Sequence, residues 1–119
     1  MEGTLPECDF ANFVLWNRYL QSFDYINGQS SLNRKQMALA GAGTNGGSAA
    51  DPYAGKRYRI ILSARKPAGL DEEKANWLSV HGRPRGTVFW RFVLPKEEIE
   101  TPTVKIMPLD ELEAEFRYK

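Results

Sequence analysis

Two stretches of this sequence alternate with the same parity, and that alternation restricts the fold more than any other feature of the chain. In Arg57–Arg65 the even positions Tyr58, Ile60, Leu62 and Ala64 are apolar, and the odd ones are Arg57, Arg59, Ile61, Ser63 and Arg65. In Thr87–Leu94 the even positions are Val88, Trp90, Phe92 and Leu94, and the odd ones are Thr87, Phe89, Arg91 and Val93. Successive side chains of an extended strand project to opposite faces, so both stretches read as strands with their even face in a core. Thr103–Leu109, with Val104 and Ile106 on one side, reads as a third strand.

Elsewhere the spacing predicts helices. Phe10, Phe13, Trp16, Leu20 and Phe23 recur at three- and four-residue steps after Asp9, a suitable N-cap, so a helix is expected over Phe10–Phe23. Val14, Leu15 and Tyr19 widen its apolar surface, which fits a core helix or an interface helix. Asn27-Gly28 is a turn signal, and Ser31 can cap a second helix over Leu32–Ala40. A third is expected near Leu70–Val80, its first turn acidic at Asp71, Glu72 and Glu73, with Leu70, Trp77 and Leu78 packing on the sheet. The tail from Asp110 reads equally as a short helix or a last strand.

The expected fold is therefore α+β: a small antiparallel or mixed sheet of about three to four strands with two to three helices, one of them packed on the apolar sheet face. A single domain is expected over 1–119, with a helical part at 1–40, a strand-helix-strand-strand part at 56–119 and a loop or linker at 41–55 between them. That middle stretch, GAGTNGGSAADPYAG, is nearly devoid of large apolar groups and reads as flexible.

Composition narrows the class. A chain of 119 residues, 42% hydrophobic and 26% charged, is ordinary for one globular core. Phe13–Trp16 and Ile60–Leu62 are too short to span a bilayer, and MEGTLPECDF lacks the basic and apolar regions of a signal peptide. The single cysteine, Cys8, forbids an intrachain disulfide and suits a reducing, cytoplasmic setting. Formation of a homodimer stays open.

Charge is segregated. Residues 56–91 hold nine Lys/Arg against three acids, a net +6, while 1–55 carry −2 and 92–119 carry −3. The chain-wide +1 hides this basic middle. Local charge sets the field that a partner feels, so an anionic partner is indicated, either nucleic acid or an acidic protein surface. If the even positions of both strands face the core, the odd face presents Arg57, Arg59, Arg65, Arg91 and Phe89, with Arg83 and Arg85 at the entrance of the second strand. Guanidinium groups fit phosphate oxygens and an exposed ring can stack a base. The competing expectation is a solvated face, or one covered by a helix whose acids pair with the arginines; Glu97, Glu98, Glu100 and the acids at 110–115 are available for that. RGTVFWRF at 85–92 resembles the core motif of the RNA-recognition-motif family at Arg85, Gly86, Phe89 and Phe92. It departs from that motif at Thr87, Val88 and Trp90, and the motif needs a four-stranded sheet with two crossover helices.

Catalysis has one candidate, His81 in the HGRPRG loop, where neighbouring arginines would stabilise charge on a phosphodiester. A loop histidine near water is the plainer reading. One His and one Cys cannot build a zinc cluster, and no metal or cofactor is expected. The leading expectation is a small non-catalytic binder of a polyanion, foremost a nucleic-acid backbone. A protein-binding adaptor or inhibitor, for example a small host-directed protein of a mobile element, is the alternative, and a small nuclease using His81 stands third.

Overall fold

A computed structural model of the chain describes residues 1–17, 19, 21, 29–34, 36–40, 53–80, 82 and 85–117. The glycine-rich stretch falls outside these over 41–52, as do His81 and Arg83.

The architecture is mostly sheet. Its strands are β1 (Glu2–Thr4), β2 (Phe10–Trp16), β3 (Ser31–Asn33), β4 (Leu39–Ala40), β5 (Arg57–Ser63), β6 (Asn76–Ser79) and β7 (Thr87–Val93), followed by one helix, α1 (Leu109–Arg117). They form two sheets. In one, β5 is central, with β1 antiparallel on one edge and β4 antiparallel and β6 parallel to it. In the other, β2 lies between β3 and β7, antiparallel to both. The expected α+β fold with two to three helices is corrected accordingly: among the described residues one nine-residue helix is present.

The N-terminal helix is the largest correction. Phe10–Trp16 pairs with the whole of β7, from Phe10 opposite Val93 to Trp16 opposite Thr87. Aromatic and branched residues occupy both faces of this segment, so helical and period-two spacings are satisfied together. Ala11, Phe13 and Leu15 are buried, whereas Phe10, Asn12, Val14 and Trp16 alternate outward. Pairing and strand propensity decide the outcome. Asp9 caps nothing; its N–H donates to the Val93 carbonyl at 2.9 Å and opens the ladder.

The second expected helix is instead β3, a turn and β4, with Leu32 and Met37 buried. In the third, the Asp71 carbonyl accepts from the N–H groups of Lys74 and Ala75, but this makes a turn and no helix forms. The chain becomes β6, which sends Leu78 into the core and Trp77 to the opposite face, where its Nε1–H donates to Ser63 Oγ at 2.8 Å. The expected strand at Thr103–Leu109 reduces to one bridge between Thr103 and Glu2. The tail resolves as helix: Leu109, Leu112 and Phe116 share one stripe, and Pro108 accepts the first helical hydrogen bonds.

The even parity of β5 and β7 holds. Tyr58 and Ile60 are buried, and Leu62, Val88, Trp90 and Phe92 pack with them against Phe13, Leu15, Leu32 and Leu78. Trp90 joins the two sheets, its ring meeting Phe13 edge-on at 5.4 Å and Tyr58 at 5.1 Å. A second, smaller core lies on the far side of the β5 sheet, where α1 places Leu112 and Phe116 over Ile61, Ala75 and Trp77. The layers are thus the β2 sheet, the main core, the β5 sheet and α1.

Candidate binding face

Because the even residues of β5 and β7 meet in one core, their odd residues point away from each other. The two strands lie in different sheets, so equal parity puts the predicted arginines on opposite sides of the sandwich. They do not form one surface.

On the β5 side Arg59 and Arg65 are paired with acids. Arg59 Nε lies 3.0 Å from Glu2 Oε1 and Nη2 lies 3.1 Å from Glu115 Oε1, with the guanidinium 5.5 Å above the Phe116 ring. Arg65 Nη1 pairs with Glu113 of the same helix. That carboxylate, bonded to the guanidinium, holds Arg65 above the ordinary arginine range. Glu113 is buried and also accepts from the Ala68 N–H at 2.9 Å. Helix α1 therefore supplies both the cover and the counter-charges, as the competing expectation had it. Arg57 is exposed at the start of β5, opposite Thr4 and Ala40.

The other sheet has an open outer face. The outward residues of β2 meet those of β7 in register: Phe10 with Val93, Asn12 with Arg91, Val14 with Phe89 and Trp16 with Thr87. Trp16 and Phe89, diagonal neighbours across the ladder, stack with centroids 4.7 Å apart and planes 7° from parallel. Phe89 remains 37% exposed, Phe10 40% and Val93 45%, since no described element lies over them. Arg91 Nε donates to Asn12 Oδ1 at 2.9 Å, which fixes the guanidinium beside the stacked rings. Arg85 is exposed at the entrance of β7. Neither Arg85 nor Arg91 has an acidic partner among the described residues, in contrast to Arg59 and Arg65.

Of the residues singled out in the sequence, this face gathers Phe89 and Arg91, with Arg85 at the entrance of β7, and it adds Phe10, Asn12 and Trp16. Those three were hidden by the helical spacing of the N-terminal aromatics. The alternation Phe10, Asn12, Val14, Trp16 is the signal that marks them. Phe92, the last ring of the RNA-recognition-like stretch, faces the core, and only three strands form this sheet. Among the described residues the sheet that holds this stretch therefore has one strand fewer than that motif requires.

The described residues hold no group of three His, Cys, Asp or Glu side chains placed for a metal ion. No described helix is long and apolar enough to cross a membrane. Neither a protein-family model nor a curated protein matches this sequence. Among solved structures, the chain is similar to an uncharacterised protein from Burkholderia cenocepacia, with a TM-score of 0.67 and 26% identity over 91% of this chain. The match spans 25% of that longer chain, so this arrangement of strands recurs there as one part of a larger protein.

Proposed function

We propose that this chain is a non-catalytic binding module whose ligand face is the outer side of the β3-β2-β7 sheet, and that the ligand is a single-stranded nucleic acid. One observation carries the reading: Arg91, which has no acidic partner among the described residues, shares this face with the exposed Phe89 and its stacked neighbour Trp16, and the exposed Arg85 stands at the entrance of the same strand. Guanidinium groups beside exposed rings serve phosphates and bases together. The amide of Asn12 adds a polar group at the same rung. The burial of the lone Cys8 accords with a cytoplasmic setting.

A protein partner is the second reading. It is favoured by the other end of the face, where Phe10 and Val93 form an exposed apolar pair. Contiguous exposed apolar surface marks protein contacts more often than nucleic-acid contacts.

The test is a titration of labelled single- and double-stranded oligonucleotides into the chain at two salt concentrations. Two phosphate contacts on a single strand predict a slope of log K against log salt near −1.4, that is, about −0.7 for each. Preference for single strands with that slope supports the nucleic-acid reading. Failure to bind at low salt transfers the face to the protein partner.

A further inference from the structure

We propose that Asn12 sets the base preference of the aromatic face. It selects bases that carry a keto oxygen (guanine, thymine, uracil) over the amino bases adenine and cytosine. The inference rests on the nucleic-acid reading above and adds to it which bases are held.

The β2–β7 ladder fixes where a base can lie. Trp16 and Asn12 flank Phe89 from opposite directions, Trp16 at the rung of Thr87 and Asn12 at the rung of Arg91. The Trp16 indole covers the Phe89 face on its own side, with centroids 4.7 Å apart and planes 7° from parallel. That leaves the opposite face of this exposed ring, turned toward Arg91, for a base. Outward rungs follow one another at about 6.8 Å along a strand. A ring stacked on that face therefore lies over the Asn12–Arg91 rung and turns one edge down to it.

The orientation of the Asn12 carboxamide is set by its neighbour. Arg91 Nε carries a hydrogen and cannot accept, so its 2.9 Å bond requires Asn12 Oδ1 on that side and turns Nδ2 away. Nδ2 has no partner among the described residues. Asn33, opposite Asn12 on β3, likewise has its Oδ1 engaged, accepting from the Gln36 N–H at 3.1 Å. The row Asn33, Asn12, Arg91 thus spends its carbonyls on protein donors. An asparagine with both ends available pairs with adenine, giving one bond and taking one. Asn12 has its acceptor held by Arg91 and offers the base an N–H. A keto oxygen accepts that hydrogen, whereas an amino group at the same ring position sets N–H against N–H. One hydrogen bond kept or lost predicts about three- to tenfold discrimination per base.

The experiment uses pairs of labelled single strands that exchange keto for amino on the same ring. One pair carries uracil or cytosine throughout; the other carries a single hypoxanthine or adenine among abasic sites. Titrated into the whole chain at one low salt concentration, uracil should bind tighter than cytosine, and hypoxanthine tighter than adenine, by about three- to tenfold. Asn12→Asp keeps a partner for Arg91 and replaces the outward donor by an acceptor. It should lower every affinity through its charge and invert both ratios, which the loss of a merely structural contact would not do. Asn12→Ala should bring both ratios to about one. Equal affinities within each pair, with binding otherwise intact, overturn the proposal and leave the nucleic-acid reading standing. Ratios that survive Asn12→Asp or Asn12→Ala unchanged overturn it as well. Failure of all four strands to bind overturns both.

Discussion

The side chain of Asn76 pairs with the backbone of Ala38 as a strand residue would. Ala38 N–H donates to Asn76 Oδ1 at 2.7 Å, and Asn76 Nδ2 donates to the Ala38 carbonyl at 3.0 Å and to the Arg59 carbonyl at 3.0 Å. The buried carboxamide splices the start of β4 to the start of β6 along one edge of β5. Asn76→Leu would remove a hydrogen bond from three partly buried backbone groups. The expected loss is about 2–4 kcal/mol, read as a lower urea midpoint at unchanged slope. A loss under about 0.5 kcal/mol, the range of a plain surface substitution, would show that the splice contributes little.

Gly3 sits against a ring that cannot withdraw. A Cβ at this position would lie 2.5 Å from the Tyr58 hydroxyl and 2.8 Å from Cζ, and Tyr58 is 3% exposed. Gly3→Ala should destabilise by about 1–3 kcal/mol through overpacking. Adding Tyr58→Phe removes the nearest atom and leaves Cζ in place, so relief should be partial. A double-mutant cycle should give a favourable coupling of about 0.5–1 kcal/mol. Strict additivity would mean that β1 shifts instead.

Burial raises the Tyr58 hydroxyl above its ordinary value of 10.0. Between 10.0 and the higher folded value, the unfolded chain has lost this proton while the folded chain keeps it. The unfolded state then binds fewer protons, so stability falls as pH rises through that window and is unaffected by this group below it. Tyr58→Phe should flatten that part of the alkaline stability curve. Denaturant titrations at pH 9 and above, with and without the substitution, provide the comparison.

Helix α1 is pinned by Glu113, which is buried and holds both Arg65 and the Ala68 N–H. Glu113→Ala should cost about 0.5–1.5 kcal/mol, from the lost hydrogen bonds to Arg65 and to the Ala68 N–H. Loosening of α1 should appear as faster amide exchange over 109–117 while β2 and β7 stay protected. Equal deprotection of both sheets would mean that the helix and the sandwich unfold as one unit.

On the aromatic face the two kinds of residue should fail differently. Phe89→Ala removes the stacking surface and should weaken single-strand binding by about 1–3 kcal/mol, with little change in salt slope. Arg91→Ala should weaken binding to every sequence and lower the slope by about 0.7. Arg59→Ala serves as the control: its partners are Glu2 and Glu115, so binding should be untouched. A large loss of affinity from Arg59→Ala would return the β5 side to the binding surface.

Period two in β5 and β7 was legible because each strand has one strongly apolar parity, and that parity fixed which side chains enter the core. The acids of α1 and the stripe Leu109, Leu112, Phe116 likewise stand in the sequence, as does their capacity to neutralise Arg59 and Arg65. The N-terminal segment was not legible. Phe10, Phe13, Val14 and Trp16 satisfy two periods, and only seven rungs of pairing with β7 choose the strand. Nor can parity state which sheet a strand joins. It separates inside from outside, while long-range pairing decides whether two outsides point the same way. Here β5 takes β1, β4 and β6, and β7 takes β2. Local spacing therefore determined the faces of the strands, and tertiary pairing alone divided the arginines between a helix-covered side and an open one.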